Sequence, residues 1–397
     1  MPKSFLLSLI VISQFCCTSL WFAGNAILPQ LVKVFDLSSQ ALGHLTAAVQ
    51  LGFILGTLVF ALLNIADRFA PSKVFFLCSV AGAFTGLEML WTGNSLFSLI
   101  FFRVLTGFFL AGIYPVGMKI ASDHFDSGLG TSLGFLVGAL VLGTAFPHAL
   151  AQFNTWISWE QVVWITSGLS IGGGALMFFG VPKGPYRKVS FKLDFGAVPR
   201  LFREPGFRSA AFGYFGHMWE LYAFWAFVPF MLNNYLDLHP LHSIHVSFWA
   251  FIVIASGSLG CILAGFLARH WGPKRIASAA LMLSGICCLL SPFSILQSSF
   301  WVYISFLIFW GVVVVADSPL FSTLVAKNAP AHLKGTGLTI VNCLGFAITI
   351  ISIQLLTWIQ PFIQPYYLFL LLALGPIVGL MGFLKNKGNR ILSRTLG

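Results

Sequence analysis

Apolar residues follow one another in long continuous stretches along this chain, and the polar segments between them are short and rich in charge, glycine or proline. The stretches do not alternate between apolar and polar residues, so they are unlike the strands of a membrane barrel. Each is long enough for the ~20 residues that an α-helix needs to cross a bilayer core. An all-α membrane protein with twelve transmembrane helices, numbered spans 1 to 12 in chain order, is therefore predicted. The predicted spans are 5–29, 42–64, 74–92, 96–118, 131–153, 161–181, 209–235, 245–268, 276–296, 300–326, 336–358 and 365–384.

The longest polar connection, residues 182–208, predicts a division into two six-helix lobes. It is rich in proline and basic residues and falls between spans 6 and 7. We expect an N-terminal lobe over 1–181 and a C-terminal lobe over 209–397, joined by this cytoplasmic loop.

A faint repeat at an offset of about two hundred residues relates the two lobes. Gly107 and Pro115 in span 4 correspond to Gly311 and Pro319 in span 10. Two parallel repeats predict a pseudo-two-fold axis along the membrane normal, with a solute site between the lobes near the midplane.

Composition and charge placement agree with a membrane protein and set its orientation. Hydrophobic residues make up 58% of the chain and charged residues 8%, with a formal net charge of +11. If the N-terminus is cytoplasmic, all of the 22 lysines and arginines lie on that side except Lys33, which is outside, and Arg103, which is inside span 4. This bias follows the positive-inside rule and predicts that both termini are cytoplasmic. The basic excess therefore indicates orientation in an inner (plasma) membrane, not nucleic-acid binding.

Few ionisable residues fall inside the spans, and such residues usually face a bundle interior or a watery cavity. Arg103 in span 4 is expected to line a cavity, where it either packs within the bundle or binds an anion directly. Asn25 is a polar candidate on span 1. Glu88, near the outer end of span 3, is expected to be a structural partner or an interfacial residue.

Glu220 in span 7 and Asp317 in span 10 are candidate proton sites, because burial disfavours the charged carboxylate. The alternative is that each pairs with a neighbour and only stabilises the bundle. His217 lies three residues before Glu220 and so shares its helix face. A proton relay is one interpretation of this pair and a two-ligand metal site is another, although no third ligand stands out.

Two further sets of residues are predicted to act in gating. Asp67 and Arg68, in the short loop after span 2, are expected to form an inner gate with basic residues or helix ends across the lobe interface. Pro115 and Pro319 are expected to bend spans 4 and 10 at equivalent places, because proline removes a backbone hydrogen bond and crowds the preceding turn.

The segment 64–73 resembles the signature loop between helices 2 and 3 of the major facilitator superfamily. Asp67 and Arg68 match that signature, whereas Leu63 and Ala70 replace its two glycines. The resemblance extends over essentially the whole chain. It implies the major facilitator fold, with helices 4, 7 and 10 lining the cavity and the two lobes rocking around a central site.

Arg103, followed four residues later by Gly107, resembles the family's fourth-helix motif, whose arginine is linked to proton coupling. Ala139 stands where the fifth-helix motif of antiporters has a proline, which favours proton-coupled movement over efflux by exchange. Segments 19–26 and 111–119 are similar to bacterial transporters grouped with nitrate/nitrite porters. Spans 2 and 8 lack the arginines that hold nitrate in those porters, so nitrate is not implied.

The sequence thus predicts a secondary active transporter, powered by an ion gradient because no GxxxxGK[ST] nucleotide site occurs. We expect protons as the ion, no cofactor or metal, a monomer in the lipid bilayer, and a small solute that is anionic if Arg103 binds it or cationic if the carboxylates do. A drug or metabolite exporter is the main alternative. A remote alternative is an intramembrane serine hydrolase, in which Ser170 of a GxSxG string would act with His148. A further alternative is a transporter-like receptor that does not move a solute.

Overall fold

The computed structural model describes residues 2–38, 40–125, 129–153, 156–187, 193–241 and 244–384. Every regular element within these residues is a helix. Seven spans consist of one continuous helix each. They are Ala41–Leu62 (span 2), Leu129–Ala151 (span 5), Trp159–Gly180 (span 6), Pro205–Leu238 (span 7), Val246–Trp271 (span 8), Pro273–Ile295 (span 9) and Lys334–Ile359 (span 11).

The other five spans contain more than one helical segment. They are Lys3–Thr18, Ala23–Ala26 and Leu28–Val34 (span 1); Pro71–Leu87 with the 3₁₀ turn Glu88–Leu90 (span 3); Leu96–Leu110 and Tyr114–His124 (span 4); Phe300–Ala316 and Ser318–Asn328 (span 10); and the 3₁₀ helix Pro365–Ala373 with Leu374–Leu384 (span 12). Short helices outside the spans are Ile65–Arg68, Phe195–Ala197, Val198–Arg203 and Ala331–Leu333.

Ten of the described spans are long and apolar enough to cross a membrane by length and composition. The remaining two are span 1, which is divided into short helices, and span 7, a single helix of 34 residues. The predicted continuous helix over 5–29 is therefore wrong in one respect, because span 1 is interrupted between Thr18 and Ala23. Span 4 also continues past its predicted end to His124, since Lys119 and Asp123 are accommodated by ion pairing at that end.

Spans 4 and 10 are interrupted at equivalent positions, as the prolines predicted. Pro115 and Pro319 each occupy the second position of the helix that follows the interruption. Proline has no N–H to offer the carbonyl four residues earlier, and its ring crowds that carbonyl. In span 10 that carbonyl belongs to Val315, and it accepts a hydrogen bond from Cys261 Sγ of span 8 at 3.4 Å.

Close helix contacts repeat the same geometry in both lobes. A Cβ atom added to Gly107 of span 4 would lie 2.0 Å from the carbonyl oxygen of Val49 in span 2. A Cβ atom added to Gly311 of span 10 would lie 2.2 Å from the carbonyl oxygen of Val253 in span 8. Gly107 and Gly311 are separated by the same number of residues as Val49 and Val253. The weak repeat in the sequence therefore corresponds to a repeated packing arrangement.

The lobes meet through span 2 against span 11 and span 5 against span 8. We call the end that carries the connection 63–70 and residues 181–187 the basic end. At the opposite end Gln354 Nε2 donates to the carbonyl of Gly43 at 3.2 Å, and the amide of Phe248 donates to Gln152 Oε1 at 3.1 Å. At the basic end a cavity of about 180 Å³ lies between spans 2 and 4 on one side and the start of span 11 on the other.

Candidate functional site

Arg103 is buried against the interruption of span 1 rather than facing an open cavity. Its side chain is 2% exposed, and its two terminal nitrogens donate to the backbone carbonyls of Leu20 (3.1 Å) and Trp21. These carbonyls lie where the helical hydrogen-bond ladder is broken, so they lack the usual helical donors. Arg103 therefore stabilises the broken segment and fixes the position of Trp21.

His217 and Asp317 form a buried pair inside the C-terminal lobe. His217 Nδ1 lies 2.8 Å from Asp317 Oδ1, and the two side chains are 0% and 1% exposed. Asp317 is the residue at which span 10 is interrupted, between Ala316 and Ser318. The second carboxylate oxygen of Asp317 and Nε2 of His217 have no hydrogen-bond partner among the described residues. The pair can therefore accept or release a proton without first breaking another side-chain contact.

Glu220 has a different environment, although it lies one helical turn from His217. Its Oε1 accepts hydrogen bonds from Trp310 Nε1 at 2.6 Å and Cys288 Sγ at 3.3 Å, and its Oε2 accepts one from Ser284 Oγ at 2.8 Å. The carboxyl group is 1% exposed. Three donors from spans 9 and 10 thus hold Glu220, whereas His217 contacts Asp317.

At the basic end Asp67 pairs within its own lobe. Its Oδ1 lies 2.9 Å from Lys119 Nζ at the end of span 4, and its backbone carbonyl accepts from Arg187 Nη2 at 2.9 Å. The sequence analysis expected a partner across the lobe interface, but Lys119 is nearer because span 4 continues beyond Met118. Asp67 and Thr336 of span 11 line the same cavity from opposite lobes. Arg68 ends the short helix beside it.

Aromatic rings from four spans meet between the lobes. The ring of Trp21 in span 1 stacks with Tyr222 of span 7 at 5.7 Å and with Phe346 of span 11 at 5.9 Å between centroids. Phe53 of span 2 lies 5.0 Å from Trp21 and 4.4 Å from Phe346. Trp225 of span 7 lies 5.2 Å from Tyr222. We call these five rings the central aromatic cluster; all are at most 2% exposed.

The remaining predicted residues have structural contacts of their own. Asn25 Nδ2 donates to Thr46 Oγ1 at 2.7 Å, which joins spans 1 and 2 inside the N-terminal lobe. The side chain of Glu88 is exposed at the opposite end, as expected for an interfacial residue. Ser170 Oγ donates to the carbonyl of Ser79 at 2.9 Å from within the continuous helix of span 6, so it lacks the elbow that a serine nucleophile requires.

Sequence reasoning missed several polar contacts of the site. The donors to Glu220 were not identified, although Ser284 and Cys288 are four residues apart and so share a face of span 9. Lys119 was counted only as an orientation charge. Gln50 was overlooked, although a glutamine inside an otherwise apolar span was a visible signal.

The described residues form an all-helical bundle with two repeated lobes and ionisable residues buried inside it, which is the architecture of a multi-pass membrane protein. The family model of the Major Facilitator Superfamily matches residues 10–353, and the chain belongs to that superfamily. A comparison with curated proteins finds no match.

Two of the solved structures that share the fold illustrate the similarity. The human organic anion transporter MFSD10 (TETRAN) superposes with a TM-score of 0.74 at 14% identity, covering 96% of this chain and 100% of that one. A bacterial homologue of the human lysosomal transporter Spinster, in an inward-facing and occupied conformation, superposes with a TM-score of 0.70 at 14% identity, covering 96% of both chains.

Proposed function

We propose that this protein is a proton-coupled secondary transporter, which moves a small solute by alternating access between its two lobes. The observation that carries the proton coupling is the buried pair of His217 and Asp317 at the interruption of span 10. A buried charge is expensive in a membrane protein unless it is paired or functional. A pair placed where a helix is already broken can link its charge state to the geometry of that helix.

Proton uptake changes this pair in a defined way. With one shared proton the pair is neutral overall, either as imidazolium and carboxylate or as imidazole and carboxylic acid. A second proton leaves a net positive charge and removes the attraction between His217 and Asp317. Spans 7 and 10 are then no longer held together at this point, and the segment that begins at Ser318 is free to change its angle.

Glu220 is the second proton site in this proposal. It accepts hydrogen bonds from Ser284, Cys288 and Trp310, which stabilise its ionised form, while full burial opposes it. Because His217 and Glu220 lie on one face of span 7, a proton bound at one site alters the field at the other.

Alternating access is supported by the unequal ends of the bundle. Gln354 of span 11 donates to Gly43 of span 2 at the opposite end, whereas the cavity of about 180 Å³ separates these two spans at the basic end. Spans 5 and 8 touch at both ends, where the amide of Phe248 donates to Gln152 and Arg269 Nη2 donates to Thr131 Oγ1. In the gating step that we propose, this cavity closes and Asp67 approaches the N-terminus of the helix that begins at Lys334. A helix N-terminus attracts a carboxylate, so Asp67 would be stabilised in both states.

Arg103 acts in this proposal as a positioning residue rather than as an anion ligand, because both of its terminal nitrogens already donate to carbonyls of span 1. Organic anions are the substrates named for MFSD10, so an organic anion belongs among the solutes to be tested. A drug or metabolite exporter would use the same proton site with the opposite direction of solute movement. We further propose a monomer in a bacterial inner membrane with both termini in the cytoplasm.

Proteoliposomes that contain a trapped pH-sensitive dye test the coupling. Organic anions, amines and amphipathic drugs are added outside, and solute-driven proton movement is recorded. Asp317→Asn and Glu220→Gln are compared with Asp237→Asn, a matched change at an exposed carboxylate of span 7.

We expect Asp317→Asn to abolish gradient-driven accumulation of the active solute while solute-for-solute exchange persists, and Asp237→Asn to behave as the parent protein. Full accumulation in both Asp317→Asn and Glu220→Gln would show that these carboxylates are structural. His217→Gln provides a second test of the pair if Asp317→Asn does not fold.

A further inference from the structure

We infer that the central aromatic cluster, together with Gln50, is the binding site for an uncharged, flat aromatic solute that carries hydrogen-bond acceptors. This inference rests on the proposed transport function, because it names the class of solute that the transporter would move. It depends on three observations: where the rings lie, which buried polar groups lack partners, and where the nearby charges are directed.

The rings come from both lobes and meet at the lobe interface. Trp21 and Phe53 belong to spans 1 and 2, whereas Tyr222, Trp225 and Phe346 belong to spans 7 and 11. The Trp21 ring is nearly parallel to that of Phe346, with 24° between the planes, and to that of Tyr222, with 29°. Facing aromatic surfaces of this kind favour the insertion of another flat ring when the lobes separate.

Buried polar atoms of two of these rings, and of Gln50 one helical turn from Phe53, have no hydrogen-bond partner among the described residues. They are Nε1 of Trp21, Nε1 of Trp225, and both side-chain polar atoms of Gln50. Gln50 lies three residues before Phe53 and therefore on the same face of span 2. All three side chains are at most 1% exposed. Buried polar groups are almost always paired in folded proteins, so an unpaired set beside a ring stack indicates a missing partner.

The chemistry of these atoms defines the partner. An indole N–H only donates, so the two tryptophans require acceptors on the solute, while the amide of Gln50 can donate or accept. A planar solute with carbonyl or ring-nitrogen acceptors would satisfy them while its faces stack on the rings.

The neighbouring charges do not point to a charged solute. Arg103 donates to the carbonyls of Leu20 and Trp21, Asp317 pairs with His217, and Glu220 accepts from three donors. The two carboxylates thus each have at least one partner in the protein, whereas Arg103 keeps its positive charge and its Nε has no hydrogen-bond partner among the described residues. A cation in the cluster would find both carboxylates already partnered, and an anion would find only a guanidinium whose two terminal nitrogens already donate to the protein, so we favour a neutral molecule.

Equilibrium binding to the purified full-length protein tests the inference with four probes of similar shape. They are 2-naphthamide, which is neutral and aromatic; 2-naphthoate, an anion; 2-naphthylmethylamine, a cation; and decalin-2-carboxamide, which is neutral but not aromatic. The variants are Trp21→Phe, Trp225→Phe and Gln50→Leu, which keep side-chain bulk but remove polar atoms. Trp164→Phe is the control, because Trp164 is 58% exposed on the outside of span 6.

We expect 2-naphthamide to bind at least about tenfold more tightly than the other three probes. Loss of one neutral hydrogen bond should weaken its binding by about threefold to tenfold in each of the three variants and leave it unchanged in Trp164→Phe. Preference for 2-naphthoate or for 2-naphthylmethylamine would overturn the inference. An affinity for 2-naphthamide that is unchanged in all three variants would also overturn the inference, as would the absence of binding by any probe.

The transport proposal fails on a different result. Binding of 2-naphthamide without proton movement in the proteoliposome assay would contradict proton-coupled transport and leave the site intact. Proton movement driven by a charged solute, unchanged in Trp21→Phe and Gln50→Leu, would contradict the site and leave the transport proposal intact.

Discussion

The contact between Gly107 and Val49 makes a sharp prediction about stability. In Gly107→Ala the new methyl carbon would lie 2.0 Å from the Val49 carbonyl oxygen, which is backbone and cannot rotate away. Spans 2 and 4 must therefore move apart by more than about 1 Å, since carbon and oxygen rarely approach closer than ~3.3 Å. Overpacking of this kind costs about 1–3 kcal/mol. Alanine is favoured over glycine within a helix by up to about 1 kcal/mol, which offsets only part of this cost.

Gly168→Ala is the matched control. Gly168 lies in the interior of span 6, and a Cβ atom there would meet nothing within 4 Å. The substitution gains the helix propensity of alanine without the clash, so we expect its stability to equal or slightly exceed that of the parent protein.

Thermal unfolding of the purified proteins in detergent, followed by tryptophan fluorescence, measures the difference. Gly107→Ala should unfold at a lower temperature than the parent, and Gly168→Ala should not. Gly311→Ala, at the equivalent contact with Val253, should lower the unfolding temperature in the same way. If Gly107→Ala and Gly311→Ala unfold at the same temperature as Gly168→Ala, then the spans are not packed as closely as described, and the repeated geometry of the two lobes is incorrect.

Three further substitutions test single contacts. Arg103→Lys keeps the charge but loses the planar guanidinium, so one carbonyl at the interruption of span 1 should lose its hydrogen-bond donor. We expect the free energy of unfolding to fall by about 1–3 kcal/mol, which a lower unfolding temperature would show. Asp67→Asn removes the ion pair with Lys119 and should slow uptake into proteoliposomes while the solute dissociation constant stays the same; equal uptake rates would argue against the gate. Trp310→Phe removes the 2.6 Å hydrogen bond to Glu220 and should also lower the free energy of unfolding by about 1–3 kcal/mol. An unfolding temperature equal to that of the parent protein would contradict this expectation.

The fold could be predicted largely from the sequence because each span must satisfy its own backbone hydrogen bonds within an apolar stretch. Span 8 was expected at 245–268 and lies at Val246–Trp271. Pro115 and Pro319 located two interruptions, since the effect of proline on a helix is local. The interruption after Thr18 could not be predicted, because it contains no proline and depends on Arg103, which is distant in the sequence.

The candidate site was only partly predictable for a related reason. Sequence identifies which ionisable residues lie inside spans, but not which of them meet across the bundle. His217 and Glu220 share a helix face, which suggested that they act on each other. In the structure His217 instead contacts Asp317, one hundred residues away, and Glu220 contacts span 9. The proposed roles of these residues stay predictions until transport is measured.

Span 7 is one continuous helix of 34 residues, about 50 Å long, and contrasts with the broken spans 1, 4 and 10. Its one internal proline, Pro229, lies beyond Trp225. It carries His217 and Glu220 and, within about two further turns, Tyr222 and Trp225. If protonation of His217 tilts this helix, the tilt would reach Trp225 directly, because continuous helix joins the two residues. Under the proposed mechanism, the rigidity of span 7 between His217 and Trp225 would determine how strongly proton binding is coupled to solute binding.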